Sequence, residues 1–159
     1  MDAHRNLGRY RAAGALAGLA AALPVGYIAL AEVAYVVGGG DPAWFGFAAW
    51  VGEITGAMAV VLIVAAIVVA AGHASGALVI ALYGVGIALL FGSTASPDGN
   101  VRLPQVGVAA FHLTISVIAI IAGQGLIRQG TAADGRQPAS NGRFWDGTGW
   151  VEGHPETMP

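Results

Sequence analysis

Four residues in this sequence combine a chemically capable side chain with an apolar setting: Glu32, Glu53, His112 and Ser116. Ionisable groups are costly inside a bilayer and usually face a bundle interior or a cavity. A carboxylate beside an imidazole raises the imidazole pKa, and burial lowers it. Such a pair could carry protons or bind a cation. Depth decides whether these residues can meet. Glu32 follows 20 uncharged residues after Arg11, or ~30 Å along a helix. Glu53 stands three residues past Trp50, just before a strongly apolar stretch. His112 is seventh in an apolar run over 106–127, ~9 Å from its start. Ser116 follows one turn later on the same face. All fall in one outer third of a membrane, with Tyr35 and Thr55 at similar depth. The expectation is an outward-facing polar pocket. The simpler alternative is two interfacial glutamates reaching water and a histidine satisfied by a backbone carbonyl or by Ser116.

Other chemistries are excluded or unsupported. The chain has no Cys, so thiolate nucleophiles, disulfides and thiolate metal sites are absent. All seven basic residues are Arg, which removes phosphate-loop and Schiff-base lysines. His73 and His112 fall at opposite ends of their helices and cannot share a haem. One His and two carboxylates without ligand spacing make no zinc signature. No cofactor and no enzymatic activity are expected. A net charge of −2 without a basic patch gives no nucleic-acid partner.

The elements that must position these residues follow from composition. Of 159 residues, 56% are apolar and 10% charged, against roughly 25% charged in a soluble domain. Four apolar segments stand out, over residues 12–37, 45–71, 77–94 and 106–127, each close to the about 20 residues a span requires. The first is too long for a signal-peptide core and is read as a retained helix. Pro24 inside it predicts a kink. Residues 1–11 form a charged leader, and six of the seven Arg residues fall on one side if both termini share it. The positive-inside rule then makes both termini cytoplasmic, with Trp44, Phe45 and Trp50 at the outer interface. The fold expected is an all-α membrane protein, an antiparallel bundle of four transmembrane helices, in a bacterial cytoplasmic membrane. Small multidrug exporters are similar in helix number, but their membrane glutamate lies nearer mid-membrane than Glu32.

Small residues repeat at four-residue spacing in Gly14–Gly18, Gly52–Gly56 and Gly72–Gly76. Such stripes let helix backbones approach closely. They serve either packing inside the bundle or contact with another chain.

Composition changes after Arg128. Residues 128–142 read as a flexible linker, residues 143–152 as a small β-hairpin, and residues 153–159 as a disordered end. The hairpin signal is Asp146-Gly147 between aromatic runs, with Trp145 and Trp150 able to pair across the arms. The run Arg143-Phe144-Trp145-Asp146-Gly147, closed by Trp150, resembles the second half of a short actinobacterial domain of unknown function. The Gly-Trp-Tyr-x-Asp-Pro element that usually opens that domain is missing here. The resemblance implies an actinobacterial membrane protein with this module in the cytoplasm, and implies no activity.

These features predict a small membrane accessory or scaffold protein. Its partners would be the lipid bilayer and either a larger protein assembly or a second copy, held through small-residue helix faces and the aromatic tail. The alternative is a small proton- or cation-linked transporter using Glu32, Glu53 and His112.

Overall fold

The computed structural model describes residues 2–93, 103–133, 143–145 and 150–152. It contains α1 (Asp2–Val37), a 3-10 turn (Pro42–Trp44), α2 (Phe45–Ala70), α3 (Ala74–Ser93), α4 (Leu103–Ala133), β1 (Arg143–Trp145) and β2 (Trp150–Glu152). All four α-helices are long and apolar enough to cross a membrane. The protein is an all-α, multi-pass, four-helix bundle.

Two helices outrun their apolar segments. The charged residues at the N-terminal end are helical, since α1 begins at Asp2. Its 36 residues give ~54 Å of helix, well beyond a ~30 Å hydrocarbon core. Helix α4 starts at Leu103 and continues to Ala133, so the first residues of the expected linker are helical. Pro104 sits in its first turn, where the missing N–H has no helical partner to lose. Pro24 lies inside an unbroken α1. The loop over 94–102, the linker over 134–142, Asp146, Gly147 and residues 153–159 lie outside the described residues.

The turns follow from local chemistry. At the end of α2, Gly72 has φ +99°, while its N–H reaches Val69 O and that of His73 reaches Val68 O. This double closure is a Schellman motif, which needs a left-handed residue that glycine supplies. At the end of α1, Gly39 has φ +79° and the Gly40 N–H reaches Tyr35 O. The Asp41 carboxylate then accepts from the Ala43 N–H at 3.0 Å, opening the next helical turn in front of Pro42.

Contacts at the glycines give the helix register. Along α1, Gly14 faces Val69 of α2 and Ala122 of α4, and Gly18 faces Ala66 of α2 and Ile80 of α3. Further along, Gly56 faces Ala29 and Gly52 faces Glu32. Between α3 and α4, Gly123 faces Ala77 and Gly84 faces Ser116. Residue numbers rise on one helix as they fall on its neighbour, so α1–α2, α3–α4 and α1–α4 are antiparallel. One end of the bundle carries Arg11, packed over Gly72, and Tyr10, packed over Gly125. The other end carries Glu32 and Gly52.

The buried core is small-residued: Ala17, Ala21, Ala65, Ala66, Ala77, Ala81, Ala119 and Ala122 surround Leu62, Val69 and Ile80. The larger apolar side chains, such as Leu23, Leu30, Ile67, Leu82 and Leu89, point outward. That arrangement suits lipid, which solvates outward leucines as well as a core does.

Gly14, Gly18, Gly52, Gly56 and Gly76 all face neighbouring helices of the same bundle. Gly72 forms the α2–α3 turn. The stripes therefore hold the bundle together, and their faces are covered within the chain. A Cβ added at Gly18 would lie 2.8 Å from Ile80 Cδ1 and 2.9 Å from Ala66 Cβ, whereas one at Gly86 meets nothing within 4 Å. Gly18→Ala is expected to destabilise the detergent-solubilised protein by about 1–3 kcal/mol through overpacking. Gly86→Ala is expected to leave stability unchanged or raise it by up to about 1 kcal/mol through helix propensity. Thermal unfolding of both variants checks the register, and equal midpoints would refute it.

Candidate functional site

His112 projects from the inward face of α4 and is 5% exposed. Its Nδ1 lies 2.8 Å from Val108 O, one turn back on the same helix. A carbonyl oxygen only accepts, so Nδ1 carries a hydrogen and donates it. In the neutral ring, Nε2 then holds the lone pair. That atom is buried and has no hydrogen-bond partner among the described residues. The rings of Tyr83 and Phe111 pack edge-on against the imidazole, with centroids 5.7 Å and 5.2 Å away.

Ser116, 2% exposed, braces this position without touching Nε2. Its hydroxyl lies 2.9 Å from His112 O and 3.1 Å from Ala81 O, so one hydrogen links the turn of α4 to α3. Gly84 makes room for it, since a Cβ there would collide with Ser116 Oγ. The histidine is thus satisfied by a backbone carbonyl at one nitrogen only, and Ser116 serves the backbone instead.

The imidazole lines a cavity of about 510 Å³ among all four helices. Its wall includes Val25 and Ile28 of α1, Thr55 and Met58 of α2, Tyr83 and Phe91 of α3, and Gly107 and Phe111 of α4. Thr55 turns its hydroxyl to Val51 O at 2.7 Å, so its polar atom is engaged by its own helix. Ile28 and Phe111 are 43% and 44% exposed while also lining the cavity. They mark an opening between α1 and α4 that faces the outside of the bundle, where acyl chains lie.

The carboxylates are elsewhere. Glu32 and Glu53 line a separate groove of about 270 Å³ with Val33, Val36, Ala48 and Gly52. Glu32 is half-buried and Glu53 exposed. The structure brings these two together and places His112 in the other space. The separation is one of depth. With α4 beginning at Leu103, His112 lies nine residues in, ~14 Å from the helix end. Glu32 is one turn closer to its own end than Ile28, the last of the α1 residues that line the cavity. Gln124 of α4 is exposed. Among the described residues, no group of three His, Cys, Asp or Glu could hold a metal ion.

The aromatic tail folds as paired strands, with Arg143 opposite Glu152, Phe144 opposite Val151 and Trp145 opposite Trp150. Asp146 and Gly147, between them, lie outside the described residues.

Tyr83, Phe111, Phe91 and Gly107 were not singled out from the sequence. Tyr83 carried a usable signal, as the only hydroxyl-bearing aromatic in the third apolar segment. Comparison of the whole chain with protein-family models, curated proteins and solved structures finds no match.

The Gly84–Ser116 fit has a measurable consequence. Ser116→Ala is expected to cost about 1 kcal/mol through the lost hydrogen bond. Gly84→Ala is expected to cost about 1–3 kcal/mol. The double variant should be less destabilised than the sum, because the added methyl then replaces the missing hydroxyl. A double-mutant cycle on thermal unfolding checks this, and additive costs would show that the two residues do not share one space.

Proposed function

We propose that this chain is a non-catalytic accessory protein of a bacterial cytoplasmic membrane whose bundle receives one apolar molecule from the bilayer. The observation that carries the reading is the His112 cavity, with its apolar walls and its opening between α1 and α4. A volume of about 510 Å³ falls in the range of small-molecule sites, which pair apolar walls with a few placed polar groups. Gly107 provides the test, because a Cβ there meets nothing within 4 Å and a larger side chain has room to enter. Protein purified from native membranes into nanodiscs is expected to yield about one bound lipid-soluble molecule per chain on extraction. Gly107→Trp is expected to abolish that yield while leaving the thermal midpoint within a few degrees. Equal yields from the two proteins would sink the reading.

A second reading, that the chain docks onto a larger membrane assembly, is supported by the tail. Two strands of three residues pair in antiparallel register, and an isolated hairpin is marginal in water. A docking surface would stabilise it. The glycine faces give this reading no support, being covered within the bundle. Both termini are placed in the cytoplasm on the strength of six Arg residues against one. Truncation after Gly142 is expected to remove a specific membrane complex from a mild-detergent pull-down. Tail protease sites should also resist protease added to intact spheroplasts. A complex that survives truncation, or a tail cut from outside, would refute this reading. Cation-linked transport is the weaker alternative, since its two carboxylates and its histidine line different spaces.

A further inference from the structure

We infer that the molecule the cavity takes carries a hydroxyl group on an apolar, ring-containing head, and that His112 Nε2 accepts its hydrogen bond. This inference rests on the cavity reading above. The first step is the donor–acceptor logic of the imidazole. Nδ1 is committed as a donor to Val108 O. In the neutral ring Nε2 can only accept, and no group among the described residues donates to it. Buried polar atoms are rarely left in that state.

The second step is where the missing donor can come from. The hydroxyls of Thr55 and Ser116 are turned to backbone carbonyls, and that of Tyr83, whose ring packs on the imidazole, does not donate to Nε2. The Nε2 atom itself is buried. The rings packed on the imidazole are Tyr83 and Phe111, and both also line the cavity. A group that reaches Nε2 therefore arrives from the cavity by displacing one of these rings. Of the two, Phe111 is 44% exposed and Tyr83 is half-buried, so Phe111 is the ring with more room to move.

The third step is the shape of the rest of the molecule. Tyr83, Phe91, Phe111 and the imidazole together give the cavity an aromatic wall. Aromatic faces and edges favour another ring. A lipid-soluble phenol combines all three requirements: an O–H to donate, a ring to pack and an alkyl tail to leave between α1 and α4. An ether or ester of the same shape lacks the donor.

The test uses the full chain in phosphatidylcholine nanodiscs and two pairs of photocrosslinking probes. One pair is a diazirine-tagged 4-alkylphenol and its methyl ether. The other is a diazirine-tagged long-chain alcohol and its methyl ether. The phenol is expected to label cavity residues half-maximally at about tenfold lower concentration than its ether, the scale of one buried hydrogen bond. His112→Phe, which keeps a ring in place, is expected to bring the phenol and its ether to the same concentration. The alcohol is expected to show the same hydroxyl preference with weaker labelling overall. Equal labelling of the cavity by phenol and ether in the unmodified chain would overturn the hydroxyl inference and leave the cavity reading standing. Alcohol labelling as strong as phenol would overturn the ring-containing head. Labelling confined to outward-facing residues for all four probes would overturn the inference and the cavity reading together.

Discussion

In a bilayer, apolar helices gain nothing from leaving their solvent, because acyl chains are as apolar as leucine. Their association depends on close packing, and close packing depends on backbones without side chains in between. Every other feature of this bundle rests on that constraint. Gly14 and Gly18 let α1 settle against α2, α3 and α4 at once. Gly76 brings α3 onto the backbone of α2 at Ala65, and Gly123 brings α4 onto Ala77. The alanines that fill the remaining core add many short contacts, each individually small.

This packing is uneven along the bundle axis, and the unevenness makes the cavity. Toward the Arg11 end, both helical hairpins carry glycine and alanine at their shared faces. Toward the Glu32 end, Gly52 and Gly56 still hold α1 to α2. The faces between the hairpins there carry Met58, Tyr83, Phe91 and Phe111 instead. Large side chains keep the hairpins apart where small ones draw them together at the opposite end. The opening thus follows from where glycine stops, and Ile28 and Phe111 stand at its edge.

The existence of four membrane helices was legible because twenty uncharged residues have few other fates. The turn after α1 has a purely local origin in Gly39, Asp41 and Pro42, residue types that each have their own backbone role. What faces what was not legible. Helices this rich in Ala, Val and Leu are apolar on every side, so no stripe announces the buried face. The helical state of residues 2–11 was hidden for a different reason. Arg and Ala continue a helix into water readily, so the end of an apolar run does not mark the end of the helix. Helix α4 likewise starts before its apolar run, at Leu103, so His112 lies one turn further from the helix end than its place in that run suggested. That turn separates it from Glu32 and Glu53.

The buried polar side chains of the site divide by what an α-helix can do for them. A hydroxyl has one hydrogen, and the carbonyl one turn back can take it. Thr55 and Ser116 both use that route, at 2.7 Å to Val51 O and 2.9 Å to His112 O. An imidazole has two nitrogens on different sides of its ring. Its own helix can take the hydrogen of one, as Val108 O does for His112, but the other nitrogen points away from that helix. It must be met from another element or from outside the chain. In this bundle the rings packed on the imidazole, Tyr83 and Phe111, belong to the wall of a cavity, and a ring edge does not replace an O–H. Among the described residues, two buried side-chain atoms have no hydrogen-bond partner, Arg11 Nε at the far end of the bundle and His112 Nε2, and of these only His112 belongs to a residue lining the cavity. For that reason the functional reading is centred on it and not on the more conspicuous pair of glutamates.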